Sequence, residues 1–398
     1  MEKLTGMLNT RYRSPISLYI LLCSSTWVTS SISIGCRRPY DPPAIQTANN
    51  YLVVDGFINT GGNAITSFNL NRSVNLGDTS TTGTPELYAT VAITGSGGAT
   101  YSLIDSNNTG IYTSAPLTLD ITQQYSIAIT TYDGRKYTSD PVPCKQTPPI
   151  DSVFWREPGD LTVYLASHDP TNATRYYRFD YSGTYEHDAN LQSPWIVING
   201  NLAAADSTNQ RTQCWSTEKS ANILITTTTA LSQDRVSAFP VMTFPDGDSR
   251  IDIGYSILVR QYALTEAAYN YWQVIQKTTD DLGTLFDVQP TQLVGNLHCL
   301  TNPSEPVIGY LSANSVQQQR IQIWESSMTN WQHNSPAYSC DTTSVPYNPN
   351  DFPAYNYPDE NNYGPYYFNG PTILVLAPLF CLDCTRFGGT TIKPSFWP

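Results

Sequence analysis

From residue 50 onward the chain is patterned in short runs where apolar and polar residues alternate. Tyr51 to Ile58, Ile65 to Val74, Tyr88 to Ile93 and Tyr101 to Ile104 each have the length and two-residue period of a strand with one buried face, and turn-forming residues separate them. Tyr125 to Tyr132 and Arg135 to Ser139 flank Asp133-Gly134, which predicts a hairpin. Residues 49–146, written throughout in this style, predict an immunoglobulin-like β-sandwich.

Pro141, Pro143, Pro148 and Pro149 then deny the backbone its ladder donors, which predicts a boundary near residue 147. Beyond it Val153 to Trp155, Leu161 to Leu165, Thr174 to Tyr181, Ile223 to Thr229 and Tyr255 to Tyr262 again alternate, so residues 147–398 read as a larger β-rich domain. One segment carries the helical period instead. Thr265 can cap it, Glu266 stands in its first turn, and Ala268, Tyr271, Trp272 and Ile275 share one face, which predicts a helix over about 265–281 packed on the sheet. The fold class is therefore mainly β: an N-terminal immunoglobulin-like sandwich, then a larger β-rich domain with one main helix.

The N-terminus departs from this pattern. Lys3, Arg11 and Arg13 precede the apolar run Ile16 to Leu22, and Ile34-Gly35-Cys36 puts a small residue before a cysteine where that run ends. This is the layout of a bacterial lipoprotein signal peptide over residues 1–35, with Cys36 as the lipid attachment site. Residues 36–48, with Pro39, Pro42 and Pro43, read as anchor and stalk. The implied location is the cell envelope, held there by the lipid.

Composition supports strands and export. Only 14% of the residues are charged, 27 are tyrosine, and the net charge is −12, which argues against a nucleic-acid partner. Cys144, Cys214, Cys299, Cys340, Cys381 and Cys384 are even in number and, in an exported chain, predict up to three disulfides, with Cys340 paired to one of the two C-terminal cysteines. The Cys381-x-x-Cys384 spacing could also serve zinc or a redox centre, but no βαβ pattern surrounds it and export favours disulfides.

Little else carries chemistry. His168, His187, His298 and His333 have no ligand-pair spacing, so neither a metal nor a cofactor is expected. Asp246-Gly247-Asp248 lacks the further ligands of a calcium loop and reads as a solvated turn. No nucleophile elbow, phosphate loop or dinucleotide fingerprint occurs, so the chain is not read as an enzyme; a glycan hydrolase with two carboxylates remains a remote alternative. Trp195, Trp215 and Trp331 read as core. The best binding candidates are Tyr355, Tyr357, Tyr363, Tyr366 and Tyr367 in the tyrosine-rich stretch from Asn348 to Gly370, taken as an ordered surface loop, because tyrosine offers wide contact area and a polar tip.

Several phrases recur together. They are Tyr51 to Gly56, Tyr255 to Thr265 leading into Tyr271-Trp272, Phe286 to Pro290 before Gly295-Asn296, Asn302 to Tyr310, Cys381-Leu382-Asp383-Cys384, and the terminal Phe396-Trp397. In these the chain resembles the Bacteroidota envelope lipoproteins grouped as domain of unknown function 4249. The resemblance implies an outer-membrane lipoprotein with no agreed activity, often encoded beside a TonB-dependent receptor of the SusC type. The function expected is non-enzymatic: an accessory to such a receptor in capture or uptake of a nutrient, with a small-molecule, peptide or glycan ligand. A structural or assembly scaffold of the envelope is the alternative.

Overall fold

The computed structural model describes residues 50–74, 83–157, 159–198, 201–206, 208–280, 295–329, 331–332, 339–348 and 363–398. The stalk and Cys36 lie outside them. In chain order the first strands are β1 (Leu52–Asn59), β2 (Ser67–Arg72), β3 (Thr84–Pro85), β4 (Thr90–Gly95), β5 (Thr100–Ile104), β6 (Ile111–Ser114), β7 (Gln124–Thr130), β8 (Lys136–Ser139) and β9 (Val142–Lys145). Then come β10 (Ile150–Arg156), β11 (Leu161–His168), β12 (Tyr176–Asp188), β13 (Trp195–Ile198), β14 (Asn201–Ala204), β15 (Gln213–Lys219), β16 (Leu224–Thr227), β17 (Arg235–Phe244) and β18 (Gly254–Ala263). Helix α1 (Glu266–Asp280) precedes β19 (Leu297–Cys299), β20 (Ala313–Asn314), β21 (Val316–Trp324), β22 (Thr343–Pro346), β23 (Tyr363–Phe368), β24 (Ile373–Pro378) and the one-turn helix α2 (Leu379–Leu382). The chain is mainly β, as its alternation predicts.

The first nine strands form one ladder with β19 and β20, and it closes on itself because β9 pairs with both β7 and β20. Alternation explains its interior: Leu52, Val54 and Ile58 of β1, Phe68 and Leu70 of β2, Val91 and Ile93 of β4 and Ile127 and Ile129 of β7 all point into one core. The expected module 49–146 does not supply this unit alone. Residues 295–315 return to it, adding Leu297 antiparallel to β8 and Ala313 between β1 and β9, both in parallel register. The return is pinned by polar bonds as well. Glu305 accepts from the Tyr137 hydroxyl at 2.7 Å, pairs with Arg135 at 3.3 Å and lies 4.0 Å from buried Arg72. Burial, with the Glu305 hydrogen bond, pushes the Tyr137 phenol up to about 12, so it stays a donor.

The Asp-Gly hairpin is present with a longer turn than a two-residue loop. Gly134 has φ +86° and donates to Thr131, whereas Asp133 is not in the left-handed region; a type I′ turn would need both residues there. The proline-bracketed stretch near 147 is tied on both sides. Thr147 Oγ1 accepts from the Ala263 amide at 3.0 Å, and the Thr147 amide donates to Ser315 Oγ at 2.9 Å.

Two further sheets share a second core: β10-β11-β17, and β15-β12-β18-β21 with β16 beside β12. Leu161, Val163 and Leu165 of β11 meet Tyr177 and Phe179 of β12 and Tyr255, Ile257 and Val259 of β18. Gly183 is required here, because the phenol of Tyr255 crosses it to donate to Glu218 at 2.5 Å, and a Cβ on Gly183 would lie 1.6 Å from that oxygen. Helix α1 starts as expected: the Ala268 amide donates to Thr265 Oγ1 at 3.2 Å. Ala268 and Tyr271 are buried, Trp272 and Ile275 half-buried.

The C-terminal part is built from β13-β14 and β22-β24-β23 around a small cluster of Leu374 and Leu376. Two disulfides hold it, Cys214–Cys384 and Cys340–Cys381. The third pair allowed by the count does not form, for Cys144 and Cys299 are free thiols on β9 and β19 of the first ladder. Among the described residues, no helix is long and apolar enough to cross a membrane.

Candidate functional site

Strand β12 alternates so that Tyr177 and Phe179 enter the core, which turns Arg178 and Asp180 to the opposite face. Register sets their neighbours. Arg178 stands opposite Tyr262, and Asp180 opposite Arg260, both on β18. Arg260 Nε donates to Asp180 Oδ1 at 2.5 Å and its Nη2 donates to Ser182 Oγ at 2.9 Å, while the Tyr262 hydroxyl donates to Asp180 Oδ2 at 2.7 Å. Burial first, and then the Asp180 carboxylate, raise the Tyr262 phenol well above its ordinary value. Tyr262 therefore stays neutral and keeps donating.

The Arg178 guanidinium lies between two aromatic rings, 4.6 Å from the centroid of Trp272 on α1 and 4.8 Å from that of Tyr262. Its carboxylate neighbour Asp180 is 3.7 Å away, and among the described residues the guanidinium makes no hydrogen bond. Phe57 of β1 closes edge-on against Tyr262 at 5.2 Å. These groups border a pocket of about 350 Å³ where the first ladder, the β12–β18 sheet and α1 meet; Asp55, Asn69, Lys219 and Tyr310 are also on its wall. Concave sites with a few fixed polar groups among aromatic walls are the usual form of a small-ligand site.

The residues singled out from sequence fall elsewhere. Tyr355 and Tyr357 lie outside the described residues, as do Cys36 and His333. Tyr363, Tyr366 and Tyr367 belong not to a loop but to strand β23, whose register shifts between Pro365 and Tyr367. Proline supplies no ladder donor, and the strand passes it by a bulge. Only Tyr367 of the three is exposed, with its ring 4.9 Å from that of Tyr366. A smaller cleft of about 150 Å³ lies beside this sheet, with Trp195, Arg211, Pro365 and Arg386 on its walls.

Cys381 and Cys384 are each bonded to a distant partner, so the Cys-x-x-Cys spacing is structural. Asp248 caps a 3-10 turn and pairs with Arg250 at 2.6 Å; burial alone would raise its carboxyl, but the Arg250 hydrogen bonds hold it below its ordinary value. Trp215 packs on Trp397 and Trp331 enters the second core, while Trp195 stacks edge-on against Phe368. His168 pairs with Asp151 and His298 with Asp140, and His187 meets Ser216. Among the described residues no three His, Cys, Asp or Glu side chains are grouped to hold a metal ion.

Sequence reasoning missed Arg178, Asp180 and Arg260. A trace of them is legible, since two charges two residues apart interrupt an aromatic strand, Arg178-Phe179-Asp180. What they face depends on the pairing of β12 with β18 and on α1, and no single segment contains that information.

The comparisons with known proteins bear on family alone. The family model described as a domain of unknown function, DUF4249, matches residues 37–320, and the chain belongs to that family. No curated protein matches it. A crystal structure of a DUF4785 family protein from Legionella pneumophila is similar over 53% of this chain at 11% identity, with a TM-score of 0.20, a likeness too slight to carry any argument. This chain spans 51% of the length of that one.

Proposed function

We propose that the chain is a non-enzymatic binding protein of the bacterial envelope, held on the outer membrane by lipid on Cys36, and that it presents a small nutrient to a TonB-dependent receptor. The observation that supports binding is the junction pocket, where Arg178, Asp180 and Tyr262 are fixed before any ligand arrives. Preorganised groups lose little freedom on binding. Support for the anchor is the arrangement of Ile34-Gly35-Cys36 behind a basic and apolar N-terminus. A multiply acylated cysteine gains about 0.8 kcal/mol per buried methylene, enough with several chains for durable attachment.

Growth of a deletion strain tests this reading. The expected result is impaired growth on a particular nutrient with an intact permeability barrier, restored by the wild-type gene and not by a Cys36→Ala copy. Unimpaired growth on every nutrient beside a leaky envelope would instead favour the scaffold.

A further inference from the structure

The pocket's charge selects among ligands. Asp180 is already compensated by Arg260 and by the Tyr262 hydroxyl. Of the remaining charged groups on the wall, Arg178 and Lys219 stand against Asp55 alone, leaving one positive charge in excess within a chain of net charge −12. Neither cation is saturated. Among the described residues Lys219 makes no ion pair, and Arg178 has only the 3.7 Å approach to Asp180.

The setting of Arg178 also selects geometry. A guanidinium between two rings cannot swing as a free arginine does, so its plane and its N–H edges are fixed by Trp272 and Tyr262. A planar fork of this kind matches a carboxylate through two parallel hydrogen bonds. A single excess positive charge suits a monoanion better than a dianionic phosphate. Asn69 lies on the same wall and carries both a donor and an acceptor for the neutral part of a polar ligand.

We propose that the junction pocket binds the carboxylate of a small polar monoanion, with Arg178 as the fork and Lys219 as a second, rim cation. This names the ligand class of the binding site proposed above and rests on that reading. The carboxylate has two natural sources, a sugar acid and the C-terminus of a short peptide, and the probes separate them.

The test is calorimetric titration of the full chain purified in detergent with D-galacturonate, N-acetyl-dialanine, D-galactose, N-acetyl-dialaninamide and inorganic phosphate. Binding of D-galacturonate or of N-acetyl-dialanine, with D-galactose and N-acetyl-dialaninamide silent, is the expected result, and which of the two binds assigns the source. Arg178→Ala should weaken that binding about tenfold or more, and Arg178→Lys should fail to restore it, because an ammonium has no fork. Lys219→Ala, at an exposed position with no ion pair among the described residues, should weaken it about threefold and keeps the test valid should Arg178 variants fold poorly.

Three outcomes would overturn the proposal: no heat from either carboxylate at about 10 mM, equal binding of the neutral partners, or unchanged affinity in a folded Arg178→Ala chain. A melting temperature lowered by Arg178→Ala with carboxylate binding intact would show the arginine to be structural glue only. Receptor association is read in native membranes and carboxylate binding in the purified chain, so either can fail while the other stands.

Discussion

The closed first ladder and the C-terminal part hold together by different means. The ladder encloses one continuous apolar core running from Leu52 to Ala313, and both of its cysteines, Cys144 and Cys299, remain thiols. Among the described residues the C-terminal part has small buried clusters, Leu374 with Leu376 and Ala189 with Cys214 and Cys384, and it carries both disulfides. The difference follows from how much apolar surface each can hide. A large core outweighs the entropy of ordering its chain, while a small one needs a covalent link that restricts the unfolded state.

Perturbations of the two regions should therefore separate, and the largest effect is expected in the ladder. Phe68→Ala empties a fully buried site on β2 and should cost about 3–5 kcal/mol in denaturant unfolding. Next comes Cys214→Ser with Cys384→Ser, which frees a link between residues 170 apart and should cost about 2–5 kcal/mol. Hydrogen exchange of that variant should rise in β15, β23 and β24 and stay unchanged in β1, β4 and β7; uniform loss would mean that the regions are not held separately. Removing the helix cap with Thr265→Ala should cost about 1 kcal/mol, read from the denaturation midpoint.

The smallest effect is a pH dependence on the disulfide-held side. Burial holds the His187 imidazole below its ordinary value of 6.5, beside Ser216 and opposite Cys214 in the β12–β15 pairing. Above that value the folded and unfolded chains bind this proton equally little. As the pH falls below 6.5 the unfolded state takes up the proton first, so stability is lost until the lower folded pKa is passed. Melting temperatures between pH 8 and pH 5 should fall more steeply for the wild type than for His187→Gln. Parallel slopes would remove His187 from the account.

How much of this could be read in advance depended on the range of each interaction. β1, β4, β7, β11 and β18 were visible because alternation is local, and α1 was visible because Thr265 and a four-residue apolar face lie within one segment. The return of 295–315 was not: β20 is only Ala313 and Asn314, too short for any period, and its parallel partners lie far away in sequence. The richness of 348–370 in Tyr, Pro and Asn reads as a loop, yet β23 runs through Pro365 and a register shift absorbs it. The pocket was least legible of all, since Arg178, Arg260, Trp272 and Phe57 meet only after four separate elements pack.

The most direct measurement of the proposed role is a pull-down from native membranes in mild detergent through a C-terminal tag, with mass spectrometry of the retained proteins. Recovery of one TonB-dependent receptor in near-equal amount, retained also by the Arg178→Ala chain, is the result expected of an accessory whose ligand pocket is separate from its receptor contact. Recovery of no receptor, or of assembly machinery alone, would contradict it.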